Sequence, residues 1–156
     1  SDLPAVSGFQ TVCDPYTGAD VYVIPQIKPD WAVLHVQEAD AFGNARVRGT
    51  PFWDRIMSRA ADRVIVTAER IVPSEDFIAC PELTLAPGFL VAAVVAAPGG
   101  AWPGSCYPAY GIDEAAVFAY LAASRDPDRL AAYLAEIQAR DRLGDDISPE
   151  MDGARE

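Results

Sequence analysis

Two nucleophilic side chains, Ser105 and Cys106, lie in a glycine-rich loop that reads GGAWPGSC. Its glycines, Gly99 and Gly100, would let backbone N–H groups approach a phosphate or the oxyanion of an acyl-transfer intermediate. The spacing matches neither the GxxxxGK[ST] nor the GxGxxG pattern. No base lies nearby in the sequence to activate the hydroxyl or the thiol, so nucleophilic catalysis is the weaker hypothesis. The alternative is that the glycines relieve strain at a turn and that Trp102 packs.

The single histidine, His35, would have to serve any Ser-His-Asp or Cys-His arrangement. It interrupts an apolar run, which favours a buried, hydrogen-bonded histidine over a catalytic one. Cys13, Cys80 and Cys106 are far apart and form no CxxC pair, so we expect no metal site. Reduced thiols fit a cytoplasmic protein.

The neighbouring carboxylates Glu38 and Asp40 have two interpretations. As a pair they could perform acid–base work. Alternatively they could cap a turn or form salt bridges with Arg46 or Arg48. Glu69 could likewise form only an ion pair with Arg70 and have no catalytic role.

Three apolar runs precede these residues and predict the strands that position them: WAVLHV at 31–36, RVIVT at 63–67 and FLVAAVVAA at 89–97. Continuous apolarity is typical of strands in a parallel sheet that is covered on both faces. Because the carboxyl ends of parallel strands meet at one edge, the residues that follow should line a common cleft. The candidate cleft residues are Gln37, Asp40, Asn44, Glu69, Gly99, Gly100 and Ser105.

Weaker patterns complete the predicted element order. We expect loop over 1–20, strands at Val21–Ile24, Ala45–Arg48 and Leu83–Ala86, irregular structure over 73–82, and helices at Phe52–Ala61, from Asp113 to Ala123 and after Asp126. Strands mixed with helices predict an α/β fold, an open, mostly parallel sheet with helices on both faces. The length suits one domain over residues 1–143, followed by an acidic tail over 144–156 that we expect to be disordered.

The net charge of −11 argues against nucleic acid and anionic membranes as partners. No apolar stretch reaches the roughly 18 residues that span a bilayer. The chain starts at Ser1 without a charged-then-apolar leader, so we expect no secretion signal.

Several longer stretches resemble one enzyme family: DPYTG at 14–18, PQIKPD at 25–30, HVQEADAFGN at 35–44, RVIVTAERIV at 63–72, PGFLVAAVV at 87–95 and the glycine loop. In this order they are similar to the carboxyl-terminal half of the α subunit of family I coenzyme A-transferases of the glutaconate CoA-transferase type. The resemblance covers about two thirds of the chain. Glu38 stands where the family usually has arginine. The loop, commonly GAHPS, has Trp102 for the histidine and Gly104 as an additional residue.

The resemblance implies the CoA-transferase, or NagB-RpiA-like, fold and transfer of CoA between carboxylic acids through a glutamyl-CoA thioester. That glutamate belongs to the β subunit, so the resemblance implies no catalytic residue in this chain. A CoA thioester is then the substrate, no cofactor is bound, and activity requires a β subunit together with the rest of the α subunit in a hetero-oligomer. The chain alone should be inactive. Two alternatives stay open: a hydrolase that opens steroid rings on CoA thioesters, and a non-catalytic assembly domain.

Overall fold

The computed structural model describes residues 2–143; the predicted acidic tail lies outside the described residues. The strands are β1 Gln10–Cys13, β2 Asp20–Val23, β3 Trp31–Ala39, β4 Ala45–Arg46, β5 Arg63–Ile71, β6 Thr84–Ala86 and β7 Val91–Ala96. The helices are α1 Leu3–Ser7, α2 Asp54–Ala60, α3 Ser74–Ala79, α4 Glu114–Ala123 and α5 Pro127–Leu143. None of the helices in residues 2–143 has the length and apolarity needed to cross a bilayer.

The main sheet has five strands in the order β6-β4-β3-β5-β7. Strands β3, β5 and β7 are parallel, as the apolar runs predict. The expectation of a mostly parallel sheet is wrong at the other edge, where β4 is antiparallel to both β3 and β6. The cause is the short turn after β3, because a parallel return needs a crossover of a dozen or more residues. The sheet is therefore mixed.

One face of the sheet forms the core. Ala32, Leu34 and Val36 of β3 are buried there beside residues of β5, and α2 contacts β3 and β6. On the opposite face Trp31 is 46% exposed and Val33 is 60% exposed. The described residues leave this face of β3 uncovered, so the covering of β3 on both faces stays a prediction. Its unbroken apolarity conceals an alternation of buried and exposed positions.

Local signals explain the smaller elements. Asp113 caps α4 by accepting a hydrogen bond from the Ala116 N–H, and the Asp126 carboxylate accepts two backbone N–H groups at the start of α5, as expected. The segment 1–20, expected to be loop, contains α1 and β1, which pairs with β2. The segment 73–82, expected to be irregular, contains α3. These elements are at most six residues long, too short for a clear periodic pattern.

The turn between β3 and β4 packs against the segment that leads into β7. Asp40 is fully buried, and its Oδ1 accepts the N–H groups of Phe42 and Asn44. The Asn44 side chain donates to Asp40 Oδ2 and accepts the Gly88 N–H through Oδ1, at 2.9 Å. Burial tends to raise the pKa of the Asp40 carboxyl, but these hydrogen bonds and one from Ser74 lower it overall.

Substitution of Gly88 tests the packing of the turn after β3 against the segment that leads into β7. A Cβ at this position would lie 2.2 Å from the Phe42 carbonyl oxygen, which is backbone and cannot rotate away. We expect Gly88→Ala to lower the free energy of unfolding by about 1–3 kcal/mol in urea titrations. The matched control is Gly111→Ala, because a Cβ there meets nothing within 4 Å and should change stability by less than about 0.5 kcal/mol. Equal stabilities of the two variants would contradict the packing described.

Candidate active site

The parallel register of β3 and β5 brings three polar side chains together on one face of the sheet. His35 and Thr67 are in-register neighbours, and Glu69 follows Thr67 two residues later on the same face. His35 Nε2 lies 2.7 Å from Glu69 Oε1, and His35 Nδ1 lies 2.9 Å from Thr67 Oγ1. A carboxylate only accepts hydrogen bonds, so Nε2 carries a proton. Thr67 Oγ1 also donates a hydrogen bond to the Leu34 carbonyl oxygen, at 3.3 Å.

Glu69 also receives hydrogen bonds from the loop after β7. The Gly99 N–H donates to Oε2 at 2.8 Å, and the Tyr110 hydroxyl donates to Oε1 at 2.5 Å. This one carboxylate therefore joins the ends of β3 and β5 to the glycine-rich loop. Tyr110 was not identified from the sequence, since a tyrosine 41 positions away carries no local signal. Thr67 could have been identified from spacing. It lies two residues before Glu69 and therefore on the same face of its strand, just as His35 lies two residues before Gln37 on the adjacent strand.

The network changes the acidity of its members. Burial tends to raise the pKa of Glu69, but hydrogen bonds from Tyr110, Gly99 and His35 lower it overall, so the carboxyl is ionised at neutral pH. Burial, and then the charge of Glu69, raise the pKa of Cys106 to about 11. Burial and the hydrogen bond to Glu69 also raise the pKa of Tyr110. Cys106 is therefore a protonated thiol, and the nucleophilic form of cysteine is the thiolate.

The loop that follows β7 uses its own N–H groups internally. Gly99 donates to Glu69, Gly100 to the Ala97 carbonyl, Ala101 to the Tyr110 hydroxyl and Trp102 to the Gly99 carbonyl. These four N–H groups have acceptors within the protein, which hold the loop in place. The expectation that the glycine N–H groups approach a phosphate or an oxyanion stays a prediction.

The two glycines have distinct structural reasons. Gly99 has a φ of 72°, a conformation that glycine adopts without strain. A Cβ on Gly100 would lie 2.7 Å from His35 Cε1. The indole of Trp102 donates from Nε1 to Asp113 Oδ2 at 3.0 Å, which links the loop to the cap of α4.

One set of potential metal ligands occurs among the described residues. Donor atoms of His35, Glu69 and Cys106 lie within 4.8 Å of one another. His35 Nε2 and both carboxylate oxygens already bind protein donors or acceptors, and the thiol is protonated at neutral pH. Metal ligation needs the thiolate and a free imidazole nitrogen, so these residues fit a hydrogen-bonded cluster better than a metal site.

A cavity of about 210 Å³ opens at the carboxyl ends of β3 and β5. It is lined by Gln37, Glu38, Arg48, Glu69, Arg70, Pro108 and Ala109. The Gln37 side chain is held in place because Oε1 accepts the Arg48 N–H and Nε2 donates to the carbonyl oxygens of Arg48 and Tyr107. The cavity thus has polar walls at the strand ends and an apolar wall from the loop.

Glu38 is the buried carboxylate of this edge, with three arginines around it. Arg70 Nη2 lies 2.5 Å from Glu38 Oε1, Arg48 Nη2 lies 3.4 Å from the same oxygen, and Arg46 Nη1 lies 3.5 Å from Oε2. The salt-bridge interpretation of Glu38 describes this arrangement, and the turn interpretation describes Asp40. The suggested ion pair between Glu69 and Arg70 is absent, because consecutive strand residues point to opposite faces.

The candidate cleft residues are only partly brought together. Gln37 and Glu69 line the cavity, and Gly99 and Gly100 contact the network behind it. Asp40 and Asn44 lie instead in the turn after β3, and Ser105 is exposed without lining the cavity. The functional roles of all seven residues stay predictions.

Comparison with known proteins identifies the family to which the chain belongs. A family model described as coenzyme A transferase matches residues 7–97. The chain belongs to the coenzyme A transferase family. The α subunit of glutaconate CoA-transferase from Acidaminococcus fermentans is 33% identical over 82% of this chain and 40% of the relative. The crystal structure of that glutaconate coenzyme A-transferase superimposes with a TM-score of 0.79 at 31% identity, covering 88% of this chain and 46% of that one.

Two further relatives have names that describe other activities. The α subunit of 3-oxoadipate CoA-transferase from Pseudomonas knackmussii is 32% identical over 87% of this chain and 48% of the relative. The cholesterol ring-cleaving hydrolase IpdA subunit of Mycobacterium tuberculosis is 34% identical over 67% of this chain and 39% of the relative. The chain spans less than half the length of each of these curated relatives.

Glu69→Gln tests the hydrogen-bond network. The amide replaces one acceptor oxygen with a donor, so one of the partners loses its acceptor, and we expect a loss of about 1–3 kcal/mol of unfolding free energy at pH 7. The pKa of Glu69 is lowered in the folded chain, so its ionisation stabilises the fold above the ordinary value of 4.5. That stabilisation is lost as pH falls through the lowered folded value. The stability difference between the native protein and the variant should therefore shrink in acid.

The measurement is urea unfolding as a function of pH, from 7 to about 3. Glu82→Gln, at an exposed carboxyl outside the cavity, is the control and should leave the stability at pH 7 unchanged. A constant difference between the native protein and Glu69→Gln at all pH values would show that the charge of Glu69 does not stabilise the fold.

Proposed function

We propose that this chain is the α-subunit portion of a CoA-transferase-like enzyme that moves CoA between carboxylic acids. The similarity to the α subunit of glutaconate CoA-transferase carries this proposal, because it extends over most of the chain in both sequence and fold. A CoA thioester would be the substrate. Cys106 is a protonated thiol, Glu38 is ion-paired and both oxygens of the ionised Glu69 accept hydrogen bonds, so we assign none of these residues as the nucleophile and expect that glutamate on the β subunit.

Whole-protein activity would need a β subunit together with the rest of the α subunit. The exposed apolar face of the sheet supports this part of the proposal. Val33, Ile65 and Ala93 are in-register neighbours across β3, β5 and β7, and they leave apolar surface uncovered within the described residues. We propose that other segments of the assembly cover this face, which would complete a sheet covered on both faces. The three free thiols are consistent with the cytoplasm as its location.

In the assembled enzyme, the Glu69 network would act through position rather than through chemistry. Its hydrogen bonds hold the loop after β7 against His35 and thereby place Pro108 and Ala109 over the cavity at the strand ends. A wall fixed in this way can exclude water from an acyl-CoA cleft, where hydrolysis competes with transfer. Gln37, with its amide fixed on both sides, is placed to contact the substrate.

The experiment uses the assembled protein with glutaconyl-CoA or 3-oxoadipyl-CoA as donor and labelled acetate as acceptor. We expect label in acetyl-CoA with the complete assembly and none with the 156-residue chain alone, because the nucleophile lies elsewhere. Turnover by the isolated chain would overturn the assignment of the nucleophile to a partner. No transfer by the assembly with either donor would count against CoA transfer.

The second candidate is a hydrolase that opens a ring on a CoA thioester, favoured by the similarity to the IpdA subunit. The same incubation distinguishes the two, run in ¹⁸O-labelled water with a steroid-ring CoA thioester. Incorporation of ¹⁸O into a ring-opened product, without formation of acetyl-CoA, would support the hydrolase.

The third candidate is an assembly domain without a ligand. A ligand that binds the native state at 100 times its Kd stabilises it by about 2.7 kcal/mol. If CoA thioesters at millimolar concentration leave the melting temperature of the assembly unchanged, the assembly role gains and both enzymatic candidates lose support.

A further inference from the structure

The arginines around Glu38 carry more positive charge than that carboxylate neutralises. Three guanidinium groups surround this buried carboxylate and the ionised Glu69 also lines the cavity, so three positive charges stand against two negative ones. They converge in a chain that has only 12 Lys and Arg against 23 Asp and Glu. Such a concentration of positive charge needs a reason beyond the pairing of Glu38.

The three arginines divide into one structural and two accessible groups. Arg46 is buried, donates to the Asp76 carbonyl and lies over the Phe77 ring at 4.6 Å, so its position is set by packing. The side chains of Arg48 and Arg70 are 53% and 68% exposed, and both line the cavity. Glu38 is buried and needs a cationic partner, but Arg46 and the short contact with Arg70 already supply one to each of its oxygens, so Arg48 at 3.4 Å is an additional cation.

Arg48 and Arg70 each have side-chain N–H groups without an acceptor among the described residues. Each donates from Nη2 to the same oxygen, Oε1 of Glu38, and a guanidinium has five N–H groups. Among the described residues, their side-chain hydrogen bonds use only that one nitrogen each. The remaining N–H groups are available to a second acceptor at the cavity.

The other polar walls of the cavity do not compete for these donors. Both Glu69 oxygens accept hydrogen bonds from His35, Tyr110 and Gly99. The Gln37 side chain is held by backbone groups of Arg48 and Tyr107. An incoming acceptor would meet unused guanidinium donors on one side and Pro108 with Ala109 on another, and the guanidinium groups would have to offset the negative charge of Glu69 in the same lining.

We propose that this cavity is an anion site in which Arg48 and Arg70 bind a carboxylate. The planar guanidinium fork matches the two oxygens of a carboxylate and binds it in bidentate fashion. A volume of about 210 Å³ is below the range of about 300–1,000 Å³ for larger ligands. The size favours a carboxylate on a short chain over a nucleotide. Glu38 holds the two guanidinium groups side by side against their mutual repulsion.

The site lies in the cavity that the proposed function assigns to the acyl-CoA cleft, so the inference deepens that proposal and rests on it for its place in the reaction. It is tested by binding alone, so a failure of transfer would leave the result intact. The ligand probe is sodium acetate, titrated into the purified protein with the subunits that copurify, at constant ionic strength set with sodium chloride. NMR spectra of the arginine Nε–H groups and of backbone amides at the strand ends report binding.

We expect saturable shifts at Arg48 and Arg70, and affinity for acetate reduced about tenfold in Arg48→Gln and in Arg70→Gln. Arg48→Lys keeps the charge but lacks the fork, so it should also bind acetate more weakly than the native protein. Arg125→Gln, at an exposed arginine that does not line the cavity, is the matched control and should bind acetate normally.

Three outcomes would overturn the proposal. The first is that acetate causes no shift beyond that of chloride at equal ionic strength. The second is unchanged affinity for acetate in the Arg48→Gln variant. Arg48 lies farther from Glu38 than Arg70 does, so we expect this variant to remain folded, and its melting curve checks that. The third is tighter binding of inorganic phosphate than of acetate, which would assign the site to a phosphate group.

Discussion

Glu69 joins three segments that are distant in the sequence, because its carboxylate accepts hydrogen bonds from β3, from the start of the glycine-rich loop and from Tyr110. A buried carboxylate is costly unless donors satisfy its oxygens. Once β3 and β5 are paired, the loop after β7 has to supply those donors. The position of the loop and the apolar wall of the cavity both depend on this requirement.

The two carboxylates at the end of the sheet, Glu69 and Glu38, are stabilised by different kinds of partner. Glu69 is stabilised by hydrogen bonds from His35, Tyr110 and the Gly99 N–H and carries no arginine partner in the described chain, whereas Glu38 is stabilised by guanidinium groups. They are on adjacent strands but belong to opposite faces, since Glu38 pairs in register with Arg70 rather than with Glu69. The cavity lies where the two environments meet. A polar, hydrogen-bonded wall and a cationic wall are thus separated by one strand spacing.

The relation of this chain to its family is one of partial coverage. Most of the chain superimposes on a glutaconate coenzyme A-transferase, yet it accounts for less than half of that chain. The uncovered face of the sheet agrees with this, because apolar side chains at strand positions such as Val33 are normally packed against another layer. Two substitutions set the chain apart from the family pattern: Glu38, which gathers the arginines, and Trp102, which anchors the loop to Asp113.

Apolar patterning was sufficient to predict the strands β3, β5 and β7 and favoured their parallel arrangement. The residue types of Asp113 and Asp126 predicted the caps of α4 and α5, because a cap depends on residues close in sequence. Family membership was also available from the ordered motifs. The antiparallel β4 was missed, and a run such as WAVLHV does not reveal which of its faces another layer covers. Arg46 and Arg48 were suggested from the sequence as partners of Glu38, whereas tertiary structure alone added Arg70 and decided the partners of Glu69. Hydrogen bonds between residues 30 to 41 positions apart depend on strand register and loop path, and local sequence encodes neither.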